Sequence, residues 1–219
     1  MRLVLLGAPG SGKGTIAQEL SGEYDAAHIS TGDIFRSNMR ENTPLGREAK
    51  RYIERGDLVP DDVTVNMIRE RLGQGDCTRG FILDGFPRNL PQALELEKIL
   101  QESGASLDGV ICLMISDETI KARLASRLIC VSCGTGYNSR FRRPRREHIC
   151  DRCDGRVVKR DDDTPETIQI RLETYRRQTA PLLDFYRERN LIINVNNETH
   201  LPEALKAIRT ALEDRRRII

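Results

Sequence analysis

The 219-residue sequence has no tryptophan, and aromatic residues make up only 5% of it. Its one arginine-rich stretch holds just Tyr137 and Phe141, too few rings to stack bases along a nucleic-acid strand. Charge of one sign is also scarce. The formal net charge is +2, so bulk electrostatics do not call for a nucleic-acid partner. No apolar run approaches the roughly 20 residues that span a bilayer. Tandem repeats and low-complexity linkers are missing, which leaves an ordinary globular chain, long enough for one cored domain with inserts or two small ones. The N-terminal apolar run is short and ends in glycines, so it reads as a buried strand rather than a secretory signal, and a cytoplasmic location is expected. In a reducing compartment the six cysteines point to metal or buried thiols, not disulfides.

The most informative segment is Gly7-Ala8-Pro9-Gly10-Ser11-Gly12-Lys13-Gly14-Thr15. It follows the apolar run Leu3–Leu6 and precedes a helical stretch, Thr15 to Leu20. A strand, glycine loop and helix in this order turn backbone N–H groups toward one point, where the helix N-terminus adds partial positive charge. Gly10, Gly12 and Gly14 let a phosphate approach the backbone. Lys13 can reach outer phosphates, and the Thr15 hydroxyl can face phosphate or Mg²⁺. The general pattern places Ser or Thr directly after the lysine, whereas here Gly14 intervenes.

Short apolar runs alternate with helical patterns along the chain. Leu3–Leu6, Ala27–Ile29, Phe81–Leu83, Val110–Ile115 and Leu191–Val195 read as strands. Val65, Ile68 and Leu72 share a helix face, as do Leu205, Ile208 and Leu212. Asp117 and Thr164 are the expected N-caps, with Pro165 in a first turn. The alternation predicts an α/β fold with a parallel sheet covered on both faces, and ligands at the carboxyl ends of its strands.

From about Ile129 to Lys159 the rhythm breaks. Cys130-x₂-Cys133 and Cys150-x₂-Cys153 have the spacing of a tetrahedral Cys₄ zinc site. An insert this small has little core of its own, so metal binding can supply the missing free energy, and with no open position the role is structural. The other reading is two redox CxxC pairs. Cys77 and Cys112 lie outside the pattern, Cys112 as a buried small hydrophobe in a strand.

Three more segments carry chemistry: Thr31-Gly32-Asp33-Ile34-Phe35-Arg36, Asp84-Gly85-Phe86-Pro87-Arg88, and Arg160-Asp161-Asp162-Asp163 followed by Arg171. With the glycine loop they closely resemble the adenylate kinases, specifically the bacterial long-lid type with a zinc-binding lid. The resemblance runs nearly end to end and includes Gly56-Asp57-Leu58-Val59-Pro60, Cys133-Gly134-Thr135-Gly136-Tyr137 and Gln178-Thr179-Ala180-Pro181-Leu182-Leu183. It implies a P-loop nucleoside-monophosphate kinase fold, a five-stranded parallel sheet with two mobile inserts. The core would comprise 1–29, 60–126 and 164–219, the AMP-binding flap 30–59, and the zinc-binding lid 127–163. The implied reaction is Mg·ATP + AMP ⇌ 2 ADP, by a monomer.

Residue by residue, the resemblance assigns Gly10, Ser11, Gly12, Lys13, Gly14 and Thr15 to the ATP phosphates. Arg123 would stack on the ATP adenine, with Gly136 and Tyr137 lining that site from the lid and Thr199 offering a backbone contact. Arg36 and Arg88 would grip the AMP phosphate. Arg127, Arg160 and Arg171 would converge on the transferring group, the last two also reaching AMP. Thr31, Gly85 and Gln92, with backbone help at Leu58 and Val59, would select the AMP base. Asp84, assisted by Asp33, would orient waters on Mg²⁺. Cys130, Cys133, Cys150 and Cys153 would hold Zn²⁺. The acceptor is an ionised phosphate oxygen, so no general base is required; the task is charge neutralisation, alignment and water exclusion. Arginine forks suit it because they bind phosphate bidentately.

The departures from the family pattern are Ile16 where many relatives have Gln, Asn138 where His is frequent, and Cys153 where some have Asp. Asp162 and Asp163 sit where they can orient the lid arginines. Arg140, Arg142, Arg143, Arg145 and Arg146 read as solvated lid surface. The competing functions are a UMP/CMP-type kinase and, in another class, a zinc-ribbon nucleic-acid-binding module.

Overall fold

A computed structural model describes residues 1–160, 162–198 and 201–218. In chain order the strands are β1 (Arg2–Leu6), β2 (Ala27–Ser30), β3 (Phe81–Asp84), β4 (Gly109–Met114), β5 (Arg127–Cys130), β6 (Gly136–Asn138), β7 (Val157–Lys159) and β8 (Ile192–Asn196). The α-helices are α1 (Lys13–Tyr24), α2 (Thr31–Arg40), α3 (Pro44–Ile53), α4 (Asp61–Leu72), α5 (Leu90–Glu102), α6 (Asp117–Ala125), α7 (Pro165–Thr174), α8 (Leu182–Glu188) and α9 (Leu201–Ile218).

Five strands form one parallel sheet in the order β2-β3-β1-β4-β8. The continuous apolar run of β1 places it centrally, because a strand covered on both faces needs apolar side chains on both. Val4 and Leu6 enter one core with Ile29, Leu83, Val110 and residues of α4 and α5. Leu3 and Leu5 enter the other with Ile16, Leu20, Ile111, Val195 and Ile208. This single alternation joins α1 and α9 to one face and α4, α5 and α8 to the other. The chain leaves β1 toward β2 and β3 on one side and later returns to β4 on the other, so a crevice opens at the carboxyl end of β1. The glycine loop sits in it.

Strands β5 to β7 form a separate antiparallel sheet, ordered β6-β5-β7. Its buried core is small: Cys130, Tyr137, Cys150 and Val157. The sheet stands on the α6–α7 pair, packed through Ile120, Leu124, Ile168 and Leu172.

Thr164 caps α7 as expected, in a reciprocal capping box with Thr167, and Pro165 takes the first turn. Asp117 does not cap α6. Ser116 does, its hydroxyl accepting the Thr119 N–H at 3.3 Å. Asp117 becomes the first helical residue, where its charge faces the helix N-terminus. A serine beside an acid leaves two candidates for one cap, and the sequence pattern selected the wrong one. No helix among the described residues is long and apolar enough to cross a membrane.

Candidate active site

The loop after β1 is shaped by two glycines. Gly10 and Gly12 have φ of 82° and 95°, a left-handed conformation that side chains rarely adopt. A Cβ on Gly12 would lie 2.8 Å from Asn197 Nδ2, and one on Gly10 would lie 2.8 Å from Leu124 Cγ. The Lys13 ammonium folds back over the loop and donates to the Gly7 and Ala8 carbonyls at 2.7 and 2.9 Å. Burial lowers its pKa to about 8, and the neighbouring Arg88 and Arg127 charges lower it too; Asp84 opposes them.

One cavity of about 1670 Å³ runs from this loop past α2 and α4 to the three-stranded sheet. That exceeds the ~300–1,000 Å³ typical of a site for one small ligand. Gly10, Gly12, Lys13, Gly14, Thr15, Thr31, Asp33, Arg36, Leu58, Val59, Asp84, Gly85, Arg88, Gln92, Arg123, Arg127, Gly136, Tyr137, Arg160 and Arg171 all line it. Ser11 does not. Its side chain is wholly buried, with the hydroxyl unpartnered, and its N–H is bonded to Ala8 O. The tight turn between the two left-handed glycines directs the hydroxyl into the protein, so any contact of Ser11 with a ligand in the cavity is not made by its hydroxyl. Thr199 lies outside the described residues.

The cations are arranged in two groups. Arg36, on α2, pairs with Asp33 at 2.5 Å. Arg88 donates through Nε to the Gly85 carbonyl at 2.9 Å, and its own carbonyl accepts from the Thr179 hydroxyl at 2.7 Å. On the other side, Asp163 has a fully buried carboxylate that accepts a bidentate pair from Arg127, at 2.7 and 2.5 Å, and a third bond from Arg171 at 3.0 Å. Asp162 bonds Arg160, at 3.1 and 3.0 Å, and Arg171. Arg160 and Arg171 hold the Asp162 carboxyl well below the usual range although burial opposes them. The two aspartates therefore do hold the lid arginines.

Nine cations, Lys13, Arg36, Arg88, Arg123, Arg127, Arg142, Arg152, Arg160 and Arg171, line this cavity with six acids, Glu19, Asp33, Asp57, Asp84, Asp151 and Glu198; Asp162 and Asp163 do not line it but pair with Arg127, Arg160 and Arg171. The crowding of buried arginines has an electrostatic signature. Burial and the neighbouring arginines push Arg88 and Arg127 down to about 10, and Arg36 is lowered for the same two reasons. Guanidinium groups stay charged at such values. The shifts reflect burial first and arginine crowding second, and Arg160, held by Asp162 and Asp163, is raised instead; a bound polyanion would relieve both the burial and the crowding of the lowered groups.

Asp84, at the end of β3, lies beside Gly14; a Cβ there would be 3.3 Å from its Oδ2. Burial would raise its pKa, but His28, Lys13 and Arg88 together hold it below the usual carboxylate range. The His28 Nε2 lies 3.7 Å from Asp84 Oδ2. Arg123, on α6, donates to the Asn197 carbonyl at 2.7 Å, while Asn197 Nδ2 donates to Ser11 O at 2.5 Å. Asn197 thus ties Arg123 to the glycine loop.

In the lid sheet, the Sγ atoms of Cys130, Cys133, Cys150 and Cys153 all lie within 4.8 Å of one another. Cys130 and Cys153 are 3.5 Å apart, and Cys133 and Cys150 3.6 Å. A tetrahedral Zn–S₄ site, with Zn–S of ~2.3 Å, sets its sulfurs roughly 3.8 Å apart, so the cluster fits that ion. The Tyr137 hydroxyl is committed here. It donates to Cys150 Sγ at 3.4 Å and accepts the Asp151 N–H at 2.7 Å. Only the ring remains to line the cavity.

Sequence reasoning missed Asn197, His28, Asn89 and Asp61. Asp61 accepts from Gln92 Nε2 at 2.7 Å and from Asn89 Nδ2 at 2.8 Å. Its only signal in the sequence was an acid after proline at a helix start, which reads as a favourable charge at a helix N-terminus.

A glycine loop joining β1 to α1 within a five-stranded parallel sheet, opening on a cavity of unbalanced cations, defines a P-loop nucleotide-binding phosphotransferase. The adenylate kinase family profile matches residues 5–191. Over 215 residues the chain is 46% identical to the adenylate kinase of Bacillus licheniformis, covering 98% of this chain and 99% of that one. It is 47% identical over 212 residues to those of Acetivibrio thermocellus and Bacillus subtilis, covering 97% of this chain and 98% of each of them. The chain belongs to the adenylate kinase family.

Proposed function

We propose that this enzyme catalyses the reversible transfer Mg·ATP + AMP ⇌ 2 ADP. The observation that carries this reading is one large cavity lined by both Arg36 and Arg88 and by Arg127, Arg160 and Arg171, with Arg160 and Arg171 near enough to lower the pKa values of Arg36 and Arg88. Its size suits two nucleotides, and its excess positive charge suits two nucleotide phosphate groups meeting end to end.

On this reading, Lys13 and the loop N–H groups hold the ATP phosphates, with Thr15 beside them and Arg123 against the adenine. Arg36 and Arg88 grip the AMP phosphate, while Thr31, Gly85, Gln92, Leu58 and Val59 surround its base. Arg127, Arg160 and Arg171 stabilise charge on the transferring group, held in place by Asp162 and Asp163. The buried carboxylate of Asp84, kept ionised by its neighbours, suits water-mediated contact with Mg²⁺, with Asp33 assisting; the ion supplies charge neutralisation on the phosphates when bound. The four thiolates hold a structural Zn²⁺, and a full Cys₄ set favours it over harder metals. Residues 30–59 and 127–163 are the two moving parts on a core of 1–29, 60–126 and 164–219, and the enzyme works as a cytoplasmic monomer.

The test is a coupled ADP assay with Mg·ATP and each monophosphate in turn. AMP is expected to be the preferred acceptor. Preference for UMP or CMP, or salt-dependent nucleic-acid binding in place of turnover, would overturn the reading. Lys13→Met is expected to lower kcat by about 10²–10³-fold, the usual cost of removing one preorganised phosphate contact.

A further inference from the structure

The Gln92 side chain is gripped from both ends. Its Oε1 accepts the Arg88 backbone N–H at 2.8 Å, and its Nε2 donates to Asp61 Oδ1 at 2.7 Å. The same Asp61 oxygen accepts from Asn89 Nδ2 at 2.8 Å, and the Asn89 Oδ1 is already used by the Gln92 N–H at 3.0 Å. Gln92 is 2% exposed, so water does not readily replace any of these partners.

A backbone N–H only donates, and an ionised carboxylate only accepts. A half-turn of the carboxamide would set Nε2 against the Arg88 N–H and Oε1 against the Asp61 carboxylate. Both contacts are repulsive, and both lie in a buried setting where unmade hydrogen bonds are costly. One orientation is therefore imposed. After these two bonds the amide keeps one N–H and one oxygen lone pair. A purine with a 6-amino group presents an N–H donor beside a ring-nitrogen acceptor, the pattern that Gln amides pair with. A 6-oxo purine presents an acceptor beside an N–H donor, and pairing with it requires the reversed amide.

We propose that Asp61 is a positioning residue for base selection. It does not touch the nucleotide; it fixes Gln92 in the orientation that accepts a 6-aminopurine and rejects a 6-oxopurine. The proposal rests on the reading of Gln92 as the contact to the acceptor base. A role in helix charge alone would be shared with Asp62, the neighbouring acid in the first turn of α4.

The experiment compares kcat/KM for AMP and for IMP, which differ in purine terms only at the 6-position and N1, with Mg·ATP and the intact enzyme. Asp61→Ala and Asp61→Ser remove the acceptor oxygen from reach of Gln92. Both are expected to lower the AMP-to-IMP ratio by about tenfold or more, because one of the two locks on the amide is gone. Asp61→Asn keeps an oxygen that Asn89 and Gln92 both call for, and its ratio is expected to stay within about threefold of the parent. Asp62→Ala is expected to leave the ratio unchanged. Where Asp61→Ala fails to fold, the serine and asparagine variants still decide. A ratio unmoved in the alanine and serine variants, or one that falls equally in Asp61→Asn or in Asp62→Ala, would overturn the proposal. Failure of the underlying reading looks different: the parent enzyme itself would use AMP and IMP equally well.

Discussion

Lys13 carries its charge at a cost that ligand binding removes. Burial and the charges of Arg88 and Arg127 bring its pKa to about 8 from 10.5, whereas phosphate oxygens at the loop would favour the ammonium form. ATP affinity is therefore expected to be flat below pH 8 and to fall as pH rises through it, by up to about tenfold per unit. Binding at pH 8.5 to 9 should take up a proton, measurable by calorimetry in buffers of differing ionisation enthalpy; no proton uptake would refute the assignment. For the ligand-free fold the sign reverses. The unfolded chain holds this proton up to about 10.5, so the group's contribution to stability rises with pH between about 8 and 10.5. Lys13 was legible in the sequence because the loop's glycines announce a phosphate. Asp61 and Asn197 were not, because each acts by holding another group: Asp61 the Gln92 side chain 31 residues away, and Asn197 the Ser11 carbonyl 186 residues away, partners that leave no local pattern.

The small antiparallel sheet illustrates what an element can and cannot do alone. Its core has only Cys130, Tyr137, Cys150 and Val157, and two of these four are thiols of the cluster. Tyr137 adds its hydroxyl to the same knuckle. On the proposed reading metal binding stands in for apolar burial, since structural zinc contributes ~10 kcal/mol or more. The purified protein is expected to contain one zinc ion per chain. Stripping it with a strong chelator, or Cys133→Ser, should lower Tm by about 10 °C or more and raise KM for ATP well above that for AMP. Metal analysis and calorimetry check this, and a chelated protein of unchanged Tm would sink it. The cysteine spacing revealed this element in the sequence. Its strands were less readable, because three-residue strands such as β6 and β7 are too short for periodicity. The central strands were the clearest of all: β1 and β4 are continuous apolar runs because both their faces are covered. The α6 cap was misread where two good capping residues adjoin, and only the hydroxyl's reach to Thr119 decides between them.

The molecule as a whole must admit two nucleotides and then exclude water from between them. The cavity is lined from the core by Lys13 and Asp84 and from the lid sheet by Gly136 and Tyr137. Among the described residues, the strongest connections between the two parts are at the hinge, where Arg171 holds Asp162 and Asp163; the others are weaker. Asn138 Nδ2 donates to the Arg123 carbonyl at 3.1 Å, and the Ser139 N–H to that of Ser126 at 2.8 Å, both at the base of the lid. At its tip, Arg142 and Glu19 are 4.0 Å apart and each is more than two-fifths exposed, an ion pair worth at most about 1 kcal/mol. Such a tip does not keep the lid shut by itself. On the proposed reading bound phosphates do, by adding anions beside Asp162 and Asp163 for Arg127, Arg160 and Arg171 to hold. On that reading the closed state holds the most phosphate, and ADP leaves when it opens. Lid opening after phosphoryl transfer is therefore expected to limit kcat, as closure-gated enzymes lead one to expect; the adenylate kinase lid is itself a standard instance of that behaviour. Rapid mixing should show a burst of ADP in the first turnover, and steady-state kcat should fall as added sucrose raises viscosity. A turnover indifferent to viscosity, yet sensitive to the leaving group, would place the slow step in the chemistry instead.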